Sequence, residues 1–219
     1  MAFSPQACLF DLDGVIVDTA KYHFTGWQRL AEELGVPFTH EDNEQLKGVS
    51  RVGSLEYILS KGGLELDNDT KVRLMDRKNE WYLKLVRTMT PDELFPGVVE
   101  LIDELRVAGV KVGLGSSSRN APLILRLCGI SDRFDTIVDG NSITLSKPDP
   151  EVFLKGAEAL GANPERCVVF EDAVSGVQAA RNGGFRIIGV GDENALAEAE
   201  FVIPGFEGFT MQTMVNRLS

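Results

Sequence analysis

The sequence predicts an α/β fold, a Rossmann-like parallel sheet with helices on both faces, carrying an inserted α-helical domain. Three observations predict it. Short β-rich runs alternate with helical stretches through the C-terminal part of the chain, ACLF near the N-terminus has the same texture, and a purely helical block separates the two.

The first run, ACLF, ends in two acids and a glycine, as a buried strand does where it passes into an exposed loop. From Thr19 to about Thr90 the period becomes helical, through YHFTGWQRLAEEL, SLEYILSKGG and TKVRLMDRKNEWYLKLV, a unit of about 70 residues. After FPGVV come VKVGLGS, FDTIVDG, RCVVFED, FRIIGVG and FVIP, separated by helical segments. If ACLF joins that sheet, the core is discontinuous, residues 1–17 with 91–219, and residues 18–90 are the insertion. The hinges then fall near Val15 to Asp18 and Thr88 to Phe95.

Composition limits the partners. The formal net charge of −11 repels polyanions at long range, which excludes nucleic acid unless a local basic patch intervenes. No apolar run approaches the roughly 20 residues of a membrane span, and MAFSPQACLFDLDG has no basic region ahead of a long apolar stretch. A cytoplasmic monomer is the expectation. Cys8, Cys128 and Cys167 form neither a CxxC pair nor a zinc-type cluster and read as reduced core thiols.

Open α/β sheets bind ligands outside the C-terminal ends of their strands. That rule selects Asp11 and Asp13 after the first strand, Ser116 to Asn120 after VKVGLG, Lys147 in SKPDP, and Glu171 and Asp172 after CVVF. A carboxylate attacks phosphorus when a cation neutralises the phosphoryl oxygens, giving an aspartyl-phosphate, so Asp11 is the candidate nucleophile. Magnesium suits such a site because it takes a few carboxylates together with substrate phosphate and water, and Glu171 and Asp172 are the natural further ligands. Asp13 then serves as general acid and base. Ser116, in GSSSRN, suits a phosphate oxygen, and Lys147 suits the charge gathered there. Each residue also has an ordinary reading: an acidic turn for DLD, a helix N-cap for Ser116 and a solvated loop lysine for Lys147.

Together, LFDLDGV, GSSS, SKPDPEVF and FEDAVSGVQAA, in this order, resemble the haloacid dehalogenase superfamily. The resemblance implies Asp11 as nucleophile, Asp13 as acid and base, Ser116 and Lys147 on the transferring phosphate, and magnesium held by Asp11, the Asp13 backbone carbonyl, Glu171 and Asp172. The dehalogenases of that superfamily lack the second aspartate and need no magnesium, so Asp13 and Asp172 argue against dehalogenation. Within the helical block, TAKYHFTGWQRLAEELG, NEQLKGVSRVGSL and DRKNEWY resemble the cap of the β-phosphoglucomutases. That likeness implies that His23, Lys47, Gly48, Arg51, Ser54 and Lys78 handle a sugar and its distal phosphate, with Ser118, Arg119 and Asn120 contributed by the core. Arg119 departs from the family, which has lysine there. The implied partners are glucose phosphates and glucose 1,6-bisphosphate, and the implied reaction interconverts β-glucose 1-phosphate and glucose 6-phosphate. A phosphatase of small sugar phosphates is the alternative, and an inactive phosphosugar-binding regulator a third reading. His40 reads as an ordinary polar residue, and Trp27 and Trp81 as helical-unit core rather than sugar platforms.

Overall fold

A computed structural model describes residues 3–219. The chain divides into two compact units, one built from the N-terminal segment up to Asp18 together with Thr90–Ser219, the other from Thr19–Met89.

The first unit is a six-stranded, wholly parallel sheet in the order β3-β2-β1-β4-β5-β6. Its strands are β1 (Ala7–Phe10), β2 (Lys111–Gly115), β3 (Thr136–Val138), β4 (Cys167–Glu171), β5 (Arg186–Val190) and β6 (Phe201–Ile203). All correspond to the β-rich runs of the sequence. In the second unit the helices are α1 (Ala20–Glu33), α2 (His40–Gln45), α3 (Arg51–Gly62) and α4 (Asn68–Val86). The sheet unit supplies α5 (Val98–Val107), α6 (Ala121–Leu127), α7 (Glu151–Leu160), α8 (Val174–Asn182) and α9 (Met211–Leu218).

Parallel strands covered on both faces read as continuous apolar runs, and every residue of β1 is fully buried. Alternate side chains leave it on opposite faces. Leu9 joins Val169, Phe153 and Val177 in a core against α7 and α8, while Phe10 stacks on Phe170 with ring centroids 4.6 Å apart, beside Phe206. The approach of α7 to the sheet depends on Gly156, where a Cβ would stand 2.8 Å from Leu9 Cδ2. The three cysteines are buried and free, and burial raises the Cys167 thiol to about 11. Among the described residues no helix is long and apolar enough to cross a membrane.

The helical unit closes on its own core of Trp27, Leu30, Leu55, Ile58, Leu59 and Leu74, with further apolar side chains around it. Trp27 is 3% exposed, and Trp81 packs at the edge of this core with the Arg29 guanidinium 3.9 Å from its ring centroid, so both tryptophans serve packing. His40 stacks on Phe24.

Helix α2 is absent from the sequence expectation because HEDNEQ has no apolar stripe. Its caps and a tertiary anchor form it instead. Thr39 and Asp42 make a reciprocal capping box, and the buried Asp42 carboxylate also accepts from Tyr57 Oη at 2.7 Å and Lys61 Nζ at 2.5 Å. Burial pushes the Asp42 carboxyl up, but the bonds from Lys61, Tyr57 and Thr39 together outweigh it and hold the group well below the usual carboxylate range. Since the folded value is depressed, the stabilisation is present above the unfolded value near 3.8 and is lost as pH falls below it. Asp42→Ala is expected to cost roughly 2 kcal/mol, because it removes a cap and takes the acceptor from the half-buried Tyr57 hydroxyl. Urea unfolding at pH 7 and pH 3 checks this, with the wild-type advantage shrinking at the lower pH.

Candidate active site

Strand order reverses direction between β1 and β4. From β1 the sheet grows through β2 to β3 on one side and through β4 to β6 on the other, which opens a crevice beyond the C-terminal ends of these two strands. Phe10 lies level with Leu114 and Phe170. Asp11, one residue further, is tied to β4 by its N–H donating to Phe170 O at 3.0 Å.

At this rim Lys147 Nζ stands 2.5 Å from Asp11 Oδ1 and 3.1 Å from Glu171 Oε2. The lysine side chain is 1% exposed and also lies over the Phe153 ring. It is therefore no solvated loop charge. Burial opposes its charge, but Asp11 and Glu171 outweigh that and raise its pKa above the ordinary lysine value. Glu171 is fully buried. Burial, then the Asp11 charge, with Asp172 adding, pushes its carboxyl well up despite Lys147.

Carboxylate oxygens of Asp11, Glu171 and Asp172 lie within 4.8 Å of one another. Glu171 Oε1 is buried and has no hydrogen-bond partner among the described residues. Two glycines make room for these acids. A Cβ at Gly176 would lie 1.9 Å from Glu171 Oε1, and one at Gly14 2.0 Å from Asp172 Oδ2. Gly14 also has φ +86°, a conformation that side chains disfavour. An all-oxygen donor set with an unmatched buried carboxylate oxygen fits a hard divalent cation such as magnesium. The Asp13 side chain is not part of this cluster. It sits in the tight turn after β1, where Gly14 N donates to Val17 O at 2.8 Å and Ile16 N to Leu12 O at 2.9 Å.

Ser116 follows β2 and is 1% exposed. Its N–H donates to Val138 O at 3.0 Å, and its Oγ accepts from Ser118 N at 3.1 Å. It is not a helix N-cap: that position of α6 is Asn120, whose own N–H donates to Ser118 Oγ at 3.3 Å. Ser117 Oγ is buried without a partner among the described residues. Arg119 is exposed, and its carbonyl accepts from Asn141 Nδ2 at 3.1 Å.

In the helical unit, the ammonium of Lys78, 3% exposed, lies 3.1 Å from His23 Nδ1. The same ammonium lies 4.5 Å from the Trp27 ring centroid and 4.8 Å from that of Tyr82. Gly26 gives the lysine passage, since a Cβ there would stand 2.8 Å from Lys78 Cε. A charged ammonium can only donate, so Nδ1 accepts and the proton of the neutral imidazole belongs on Nε2. Burial, then the charges of Lys78 and Arg51, hold the His23 pKa well below its usual value. Arg51 donates to Asn79 Oδ1 at 2.8 Å. Ser54 is buried one turn along α3 from Arg51, Lys47 pairs with Glu44 at 2.8 Å, and Gly48 takes φ +70° in the turn between α2 and α3.

The sheet unit thus brings Asp11, Lys147, Glu171 and Asp172 together, and the helical unit brings His23, Lys78 and Arg51 together. Sequence reasoning missed Gly14, Gly176 and Asn79. LFDLDGV holds Gly14 and FEDAVSGVQAA holds Gly176, and a glycine beside a clustered acid is a signal that could have found them.

A family model described as haloacid dehalogenase-like hydrolase matches residues 5–184. The chain is 43% identical over 211 residues to a β-phosphoglucomutase of Bacillus subtilis, covering 95% of this chain and 93% of that one. To a phosphorylated carbohydrates phosphatase of Thermotoga maritima it is 34% identical over 204 residues, covering 89% and 91%. Among solved structures, a β-phosphoglucomutase of Clostridium difficile superposes with a TM-score of 0.95 at 36% identity, covering 98% of this chain and 97% of that one.

His23 gives a pH signature. Because its folded pKa is depressed, stability is fully present above the unfolded value near 6.5 and falls as pH drops below it. Chemical denaturation between pH 5 and 8 should show this slope, and His23→Gln should flatten it.

Proposed function

We propose a phosphoryl-transfer reaction for this chain, which belongs to the haloacid dehalogenase-like hydrolase family: the interconversion of β-glucose 1-phosphate and glucose 6-phosphate through glucose 1,6-bisphosphate, as a cytoplasmic enzyme. The observation that carries the chemistry is Asp11 at a strand end, beside Lys147 and two further carboxylates. The full-length likeness to two β-phosphoglucomutases supports the mutase outcome.

In this reading an Asp11 carboxylate oxygen bonds to phosphorus as the bond from phosphorus to the sugar oxygen breaks. Asp13 donates a proton to that departing oxygen. In the second half-reaction Asp13 takes the proton of the accepting sugar hydroxyl, whose oxygen bonds to phosphorus as the Asp11 ester breaks. Ser116 and Lys147 hold oxygens of the transferring group. Asp11, the Asp13 carbonyl, Glu171 and Asp172 would hold magnesium, which supplies charge neutralisation at the phosphoryl oxygens.

The remaining residues serve recognition. Arg51 offers a guanidinium that matches two oxygens of a distal phosphate, and Arg119, with Ser118 and Asn120, is the core's candidate for the same group. His23, Lys47, Gly48, Ser54 and Lys78 contact the sugar or couple its binding to the catalytic residues. In Lys78 and His23 a buried cation and a neutral acceptor lie side by side, a pairing suited to oriented hydroxyls. A second reading, a phosphatase in which water replaces the accepting hydroxyl, draws on the Thermotoga relative.

Incubation with magnesium, β-glucose 1-phosphate and trace glucose 1,6-bisphosphate separates the two. Glucose 6-phosphate without stoichiometric free phosphate is expected, and stoichiometric phosphate release without isomerisation would refute the mutase. Asp11→Asn should abolish turnover. Asp13→Asn should slow the first half-reaction by about 10²–10⁴-fold, while calorimetry still detects magnesium binding.

A further inference from the structure

Lys147 is carried by the segment between β3 and α7, and the backbone of that segment is fastened from the side of α7. The Glu151 carboxylate, in the first turn of the helix, accepts from Thr144 N at 2.9 Å, Thr144 Oγ at 3.0 Å and Leu145 N at 2.6 Å, all on its Oε2. Its other oxygen, Oε1, takes Lys155 Nζ at 2.6 Å, and the same ammonium donates to Ser142 O at 2.7 Å. One ion pair on a single helix face thus grips the segment at Ser142, Thr144 and Leu145, two residues before Lys147.

The fastening continues towards the loop after β2. Ser142 Oγ donates to Asp139 Oδ1 at 3.0 Å. Asn141 Nδ2 bridges Asp139 Oδ2 at 2.9 Å and Arg119 O at 3.1 Å. Gly140 lies flush against this loop, since a Cβ there would stand 2.3 Å from Ser117 O.

We infer that Glu151, braced by Lys155, is a positioning residue for Lys147, setting where its ammonium stands at the rim of β1 and β4. The inference rests on the phosphoryl-transfer reading of that rim. Three features separate this contact from an ordinary surface ion pair, which contributes little. Glu151 spends one oxygen on backbone and hydroxyl donors of the loop rather than on solvent. The Lys155 hydrogen bond first, then the donors of Leu145 and Thr144, bring its carboxyl down to about 2, so the acceptor stays charged at any working pH. And Lys147 itself, wedged between Asp11 and Glu171, works over distances where a displacement of about 1 Å at the reacting groups costs up to roughly a hundredfold in rate.

The test combines turnover with amide hydrogen exchange on the full chain. Glu151→Ala should raise exchange across residues 142–147 and lower kcat about tenfold or more, with KM for β-glucose 1-phosphate moving less than about threefold if the loss lies in transition-state positioning rather than ground-state binding. Glu151→Gln, which keeps an acceptor oxygen, should recover part of kcat. Lys155→Ala should lower kcat less than Glu151→Ala and add little to it in the double variant, as coupled groups do. Lys147→Ala is the control for the underlying reading. If wild type turns over, Lys147→Ala is inactive and Glu151→Ala keeps full kcat, the positioning role is wrong and the underlying reading stands. Unchanged exchange in Glu151→Ala overturns the clip directly. If wild type is inactive, or Lys147→Ala as active as wild type, the reading of the rim fails and the positioning role falls with it.

Discussion

Lys147 Nζ, 2.5 Å from Asp11 and 3.1 Å from Glu171, holds together carboxylates that meet at the adjacent ends of β1 and β4 and would otherwise repel one another. Removing one member of such a buried set leaves uncompensated charge, a change that typically costs about 3–5 kcal/mol. Most of the local architecture at the rim serves this contact. Residue Asp11 is pinned by its N–H to β4, the lysine rests on Phe153 of α7, and Gly176 lets α8 start directly against Glu171.

The same contact leaves the acid cluster, when all its carboxylates are ionised, two positive charges short of balance. Three carboxylates face one ammonium, and Glu171 Oε1 has no hydrogen bond among the described residues. A buried carboxylate oxygen in that position is costly unless a ligand satisfies it. The donor chemistry, all oxygen and mostly charged, matches a hard divalent ion. Structure and proposed reaction therefore make the same demand on this rim, since a phosphoryl group arriving at Asp11 brings further negative charge.

The helical unit solves a related problem with the opposite sign. Lys78 is buried among Trp27 and Tyr82 and meets a histidine held neutral, so ring faces and an imidazole nitrogen contribute to stabilising its charge. Elsewhere in the unit, Asp42 gathers Thr39, Tyr57 and Lys61 and so anchors the polar helix α2. Both arrangements give a buried charged side chain a partner drawn from another helix.

All six strands were legible in the sequence, as were α1, α3 and α4, because burial on one or both faces leaves an apolar period that local reading detects. Helix α2 was not, since its stability comes from Asp42 and from partners 15 and 19 residues away. The rule that ligands gather beyond strand ends selected Asp11, Ser116, Lys147, Glu171 and Asp172 from sequence alone, but it was silent on Glu151, Asp139 and Asn141, whose significance lies in which backbone groups they grip. By itself, then, the sequence determined the strands, the apolar-striped helices and the residue types at the strand ends. The tertiary structure alone decided that Lys147 meets Asp11 across 136 positions, that Lys78 meets His23 across 55, and that glycines stand where carboxylates press. Periodicity records whether a side chain is buried, whereas the pairing of charges depends on strand register and helix placement, which no local pattern encodes.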